Sequence, residues 1–226
     1  MAGVEGVEPT PTVLETDVLP LYYTPMCLLI LSYWFAFRKI FKDNKSMRYR
    51  FDKVKEKYYT TLGIYKYILR ENNSPLDGCG RIEMFEEIEN WHLECIIFEN
   101  ENTVPPGYSI AFEHIYLNSK NECVGMVNFR PKAMEHPNLK EYGGHVGYNV
   151  RPDLRGQGIG KKMLKDFLKL CKKEYAKKFN LDKILITCTK HNDASRKVIL
   201  ANGGEFEREV YYPAGDCYLE RYWFKL

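Results

Sequence analysis

Apolar residues recur along this chain with two periods, and the period changes near residue 108. From 51 to 71 they come at steps of three and four, as Phe51, Val54, Tyr58, Leu62, Tyr65 and Ile68. That spacing lays one stripe along a helix. Asn72, Asn73, Ser74 and Pro75 end it, and a loop with Gly78 and Gly80 leads into a second helical stretch at 81–97. After Pro105, Pro106 and Gly107 the alternation shortens to two. It predicts strands at 108–117 and 122–130 around a turn at 118–121, a loop at 131–142, and a strand at 145–151. Residues 158–179 read as an amphipathic helix, with Met163, Leu164, Phe167, Leu168, Cys171 and Tyr175 on one stripe and lysines on the other. Residues 183–189 are apolar enough for a buried strand. A short helix at 192–202 is closed by Gly203 and Gly204, and 207–212 with 218–225 make a final hairpin. This order predicts an α/β (α+β) fold with a central twisted mixed sheet flanked by helices, in one domain over 51–226.

The first fifty residues form a separate leader. Its uncharged stretch, 18–37, is followed by Arg38, Lys39 and Lys42. A membrane span needs about 20 apolar residues, which this stretch only just reaches, with Pro20 and Pro25 in its first half. Three readings stay open: an anchor holding the domain on the cytoplasmic side, a hydrophobic helix packed on the domain or lying at an interface, and a non-native extension ahead of a start at Met47. Any membrane contact is therefore expected only through 18–37.

The 226 residues carry a formal charge of +3 with acids and bases interspersed, which gives no argument for nucleic acid. The seven cysteines are scattered and form no C-x-x-C pair. No metal is expected, and the compartment reads as reducing and cytoplasmic.

The chemistry concentrates in one passage. A strand ends at Arg151 and Pro152, the turn Arg155, Gly156, Gln157, Gly158, Ile159 and Gly160 follows, and a long helix starts at once. Glycines let a backbone approach a ligand closely. The unsatisfied N–H groups and the dipole of the helix start favour a diphosphate there. Arg155, Lys161 and Lys162 add positive charge. The spacing is neither a Walker loop nor a dinucleotide fingerprint, and a tight turn without ligand remains the plain alternative.

Arg155-x-x-Gly158-x-Gly160 resembles the signature of the GNAT superfamily of N-acetyltransferases. The likeness extends over 108–226 to an uncharacterised bacterial branch of predicted acetyltransferases. It is carried by the passages 143–152, 185–192, 194–199 with 202–204, and 221–223. The resemblance implies acetyl-CoA as cosubstrate, its pyrophosphate on the turn and its pantetheine between splayed strands 145–151 and 183–189. It implies contacts from the backbone of Val150 and from Asn192 and Ser195. These two are equally a helix cap and its partner. The acceptor is then a primary amine of a small molecule or peptide, attacking directly through a tetrahedral intermediate, and a homodimer is a common assembly in the superfamily.

Such transfer needs a neutral amine, from a group with a pKa of roughly 10.4, and a proton for the departing thiolate. The superfamily's usual tyrosine acid falls at Ile199. Tyr148 is the substitute on the splayed strand, with Tyr211, Tyr212, Tyr218 and Tyr222 as further candidates. His145 is the expected base, with Glu141 acting through water as the alternative; Arg130 and His114 are candidate acceptor-pocket residues. The missing tyrosine also leaves open a non-catalytic acyl-CoA-binding sensor or scaffold module.

Overall fold

The computed structural model describes residues 47–226. The segment 18–37 lies outside the described residues. Among those described, no helix is long and apolar enough to cross a membrane.

A seven-stranded sheet runs in the order β1-β2-β3-β4-β5-β7-β6. Its strands are β1 (Tyr49–Lys53), β2 (Phe112–Asn118), β3 (Cys123–Phe129), β4 (Val146–Val150), β5 (Lys183–Thr189), β6 (Glu205–Tyr212) and β7 (Cys217–Lys225). The helices are α1 (Tyr59–Glu71), α2 (Ile88–Phe98), α3 (Ile159–Leu170), which winds on through a π turn to Tyr175, and α4 (Asp193–Leu200). All neighbouring strands pair antiparallel except β4 and β5.

The sheet has helices on both faces, as the sequence predicts. On one face Leu62, Tyr65 and Leu69 of α1 and Trp91 of α2 bury against Ile115, Leu117, Cys123 and Met126. Side chains alternate across a strand, so the intervening residues of β2 and β3 face α3. There Phe167 meets the rings of Phe51, His114 and Phe129 at 5.5–5.6 Å between centroids. Gly125 lies under Met163, where a methyl group would come within 2.5 Å of the sulfur.

Three elements differ from the sequence reading, the first being the second helix, which begins at Ile88 and not at 81, after one 3-10 turn at Ile82–Met84. Residues 49–53 form an edge strand instead of the first turn of a helix, with Tyr49 stacked on Tyr116 and Phe51 against Phe167. Only Tyr49 and Phe51 are apolar at a two-residue step in that strand, too few to outweigh the helical spacing that continues into α1. The strand expected from 108 begins at Phe112, because Tyr108 to Ala111 follow the Pro-Pro-Gly bend unpaired with the sheet, Ala111 donating instead to Phe98 O at the end of α2.

Phe167 is fully buried at the centre of the α3-side core. Phe167→Ala is expected to cost about 3–5 kcal/mol, read as a lowered urea midpoint with an unchanged transition slope.

Candidate active site

The site begins with the hydrogen-bond phase of β4. Arg130 N donates to His145 O at 2.8 Å and Arg151 N donates to Val124 O at 3.0 Å. Odd-numbered residues of β4 therefore turn their backbone groups to β3, and Val146, Tyr148 and Val150 turn theirs to β5. Only Val146 finds a partner residue there, Ile186. Beyond that pair the two parallel strands part, leaving the main chain of Tyr148 and Val150 facing a cleft.

The turn closes the cleft's upper end. Gly158 caps α3 at φ +80° with no side-chain cap, and the first helical bond runs from Lys162 N to Gly158 O. The N–H groups of Ile159, Gly160 and Lys161 thus lack an intrahelical acceptor. A methyl group at Gly156 or Gly158 would meet nothing within 4 Å. The result is an open concavity of main-chain donors at the positive end of a twelve-residue helix, which suits a diphosphate.

α4 begins on the opposite lip. Asn192 Oδ1 accepts from Ser195 N at 2.9 Å, so Asn192 is an N-cap. Tyr148 reaches across from β4, and its hydroxyl lies 2.8 Å from Ser195 Oγ. Burial pushes the Tyr148 phenol up to about 12, which keeps its proton in place at neutral pH.

A family profile described as the acetyltransferase (GNAT) domain matches residues 35–205. The chain belongs to the GNAT acetyltransferase family. It is accordingly an acyltransferase. No curated protein matches the sequence. Among solved structures, a ribosomal-protein-S5-alanine acetyltransferase from Vibrio fischeri is 20% identical, with a TM-score of 0.56 over 78% of this chain and 92% of that one. An acetyltransferase from Salmonella typhimurium that modifies the N-terminal serine of ribosomal protein L7/L12 is 18% identical, at TM-score 0.56 over 79% and 95%. The microcin C7 self-immunity acetyltransferase, in complex with acetyl-CoA and AMP, is 16% identical, at 0.56 over 79% and 92%. At these identities the likeness is one of fold, and the mixed sheet with one parallel, splayed pair is the GNAT fold.

Several expected GNAT site residues sit differently from the sequence reading. Arg155 does not reach toward the turn. Its Nε donates to Val150 O at 2.9 Å and its Nη2 to Asn149 Oδ1 at 3.1 Å, so it braces the end of β4. Lys162 pairs with Asp166 at 3.0 Å. Ile159 is buried under the turn, and Gln157 is exposed, donating to Asp153 O. Ile199 is fully buried beside Gly204 and contributes no hydroxyl.

His145, the expected base, lies in the sheet, 1% exposed. Its Nδ1 accepts from Leu185 N at 2.9 Å while its own N donates to Leu185 O at 2.8 Å. The neutral ring then carries its proton on Nε2, and no lone pair is left for a second. Burial, with help from Arg130, holds its pKa near 4. As placed, the imidazole ties β4 to β5 just before they part.

Glu141 is bound at both oxygens by Arg208 at 2.9 Å. His114 faces α3 and bonds Tyr175 at 2.9 Å. Tyr211 bonds Asp216, Tyr222 bonds Glu220, and the rings of Tyr212 and Tyr218 lie tilted against those of Tyr142 and Tyr211. Of the candidate tyrosines only Tyr148 spans from β4 to α4.

The sequence reading passed over Glu113. It is fully inside on the face covered by α1 and α2, with its Oε1 accepting from Asn128 and its Oε2 finding no partner among the described residues. Burial raises its pKa to about 8. A glutamate in the inward register of strand 108–117 was the available signal.

These shifts predict the pH dependence of stability. His114 and His145 fall from 6.5 to about 4 by burial. The unfolded chain takes up their protons first, so stability drops as pH falls from 6.5 toward 4. Glu113 rises from 4.5 to about 8, so ionisation in the unfolded chain lowers stability as pH climbs from 4.5 to 8. Two histidines outweigh one glutamate below 6.5. Urea titrations should therefore show a stability maximum near pH 6.5, and His145→Gln should flatten the acid limb.

Proposed function

We propose that this protein transfers an acetyl group from acetyl-CoA to a primary amine of a small molecule or peptide. The observation that carries the reading is the cleft opened beyond Val146 and Ile186, running to the uncapped, unobstructed start of α3. The N–H groups at 159–161 would hold the diphosphate, and the Tyr148 carbonyl and the Val150 N–H would hold the pantetheine arm, since Arg155 already occupies the Val150 carbonyl. Bound there, acetyl-CoA supplies an activated thioester carbonyl that a neutral amine can attack.

The chain's own groups then have distinct tasks. The Tyr148 N–H, directed into the cleft, stabilises negative charge growing on the carbonyl oxygen. The Tyr148 and Ser195 hydroxyls, 2.8 Å apart, form a paired donor for the leaving sulfur. Sharing the proton between two hydroxyls offsets the loss of acidity that burial imposes on the phenol. This arrangement takes the place of the tyrosine that Ile199 cannot supply. Asn192 holds the first turn of α4, and with it Ser195, in register. The bonding of His145 favours a tether over a base, so the amine's proton is left to water or to the acceptor cavity.

Two experiments test this. Gly158→Val forces a branched residue to φ +80° and fills the concavity, and is expected to weaken coenzyme A binding by calorimetry roughly tenfold or more, with the circular-dichroism melt still cooperative. Tyr148→Phe with Ser195→Ala is expected to lower kcat roughly a hundredfold, followed as free thiol released with an amine panel, while acetyl-CoA affinity changes little. Unaltered kcat in the double variant would remove these hydroxyls from the mechanism.

A further inference from the structure

The face of the sheet opposite α3 holds a cavity of about 700 Å³ between β2, β3, α2 and the loop after α1. Its floor is a row set by strand register. Glu113 pairs with Asn128, and Asn128 with Gly147. Residues directly opposite share a face, so the row leads across three strands to β4, one residue past the point where β4 and β5 part. Two strand spacings put Glu113 roughly 10 Å from Gly147.

The two ends of the row differ in charge. Near β4, Arg130 Nη2 lies 3.7 Å from where a methyl group on Gly147 would stand, and it donates to Gly143 O at 3.2 Å. At the far end, the Glu113 carboxyl is buried with one oxygen unpaired among the described residues. Arg130 Nε also finds no partner among the described residues, and the Arg130 charge acts on the Glu113 carboxyl at longer range. The loop above is fitted to the carboxyl. Gly80, held through its carbonyl by Trp91 Nε1 at 2.8 Å, passes so close that a methyl group there would lie 2.4 Å from Glu113 Oε1. The lining includes four acids, Asp77, Glu83, Glu94 and Glu113, against two arginines, Arg81 and Arg130. Arg81 is engaged by Glu94 and by the rings of Phe98 and Tyr108.

Resting on the acetyltransferase reading above, we infer that this cavity is the acceptor site, and that the acceptor is a small aliphatic molecule with two basic nitrogens. One nitrogen is presented at Gly147 and the other pairs with Glu113. The charge gradient orients such a molecule. Arg130 disfavours an ammonium beside it and so favours the neutral, attacking form at the β4 end. The distal ammonium meets an acceptor oxygen that none of the described residues satisfies, and its binding releases the carboxyl proton to solvent and leaves a buried ion pair. A group left unpaired in a cavity costs free energy until a ligand pairs it, which makes Glu113 the specificity-determining residue.

The test uses the full chain with acetyl-CoA and two acceptor series, α,ω-diamines and n-alkyl monoamines of equal length. They run from about three to about eight methylenes, which bracket separations of roughly 5–10 Å. Diamines are expected to exceed matched monoamines roughly tenfold in kcat/KM, mainly through KM. Glu113→Gln should bring that ratio to about one without changing coenzyme A affinity. Glu113→Asp, which keeps the charge on a shorter arm, should move the optimum to a longer diamine, and this serves where the Gln variant folds poorly. Equal use of both series, a preference for peptide N-terminal amines, or a Gln variant that keeps the diamine preference would each overturn the inference while leaving acetyl transfer intact. Absence of both coenzyme A binding and thiol release in the wild type would instead sink the transfer reading, and this inference with it.

Discussion

Parallel β4 and β5 share one pair of facing residues, Val146 and Ile186, and the rest of the active region depends on their separating there. A continuous ladder would satisfy the backbone of Tyr148 and Val150 inside the sheet and leave no main-chain donors for a ligand. The separation has a definite lower limit, because His145 bonds Leu185 through both its main chain and its ring. Above that tie, Arg155 braces the end of β4 by bonding the Val150 carbonyl where it faces the cleft. The cleft is thus held open by contacts at both ends.

The opened strand pair also separates two faces of the sheet that the proposed reading puts to different use. The cleft and the start of α3 serve one side, with Tyr148 projecting toward α4 and Ser195. The other side, under α1 and α2, carries Gly147, Asn128 and Glu113 in one row. Period-two alternation on a single strand sends Tyr148 and Gly147 to opposite faces, which in the proposed reading are the cofactor side and the acceptor side. β4 is where the two meet, and a one-residue slip in its register would exchange their roles.

Much of this was legible in the chain. The turn at 155–160 announced itself because glycines, a preceding strand and a following amphipathic helix are local signals, and the structure places α3 at Ile159. Strand β5 was bounded at 183–189 because an unbroken apolar run between polar flanks has few readings. What escaped was set by distant partners. Tyr49 and Phe51 became a strand because β2 offers an edge and Phe167 a ring to pack on. The work of His145 is set by Leu185, forty residues on, so a sequence reading could see a titratable ring but not its occupied lone pair. Glu113 could be seen as an acid in an inward strand register, but that one of its oxygens goes unpaired is a property of the cavity, which no window of sequence contains.

The loop after α1 lies against β4 through Gly78, where even one added carbon would fall 2.3 Å from the Tyr148 amide nitrogen. Together with Gly80 over the Glu113 carboxyl, this fixes the height of the ceiling by atoms that are missing. If the cavity takes the acceptor as inferred, a descendant of this protein that shifts to bulkier substrates must remodel walls such as Leu76 and Ser109, since the roof offers no tolerance for gradual change. Divergence at the two glycines would come as loss of the seam, not as a graded alteration of taste.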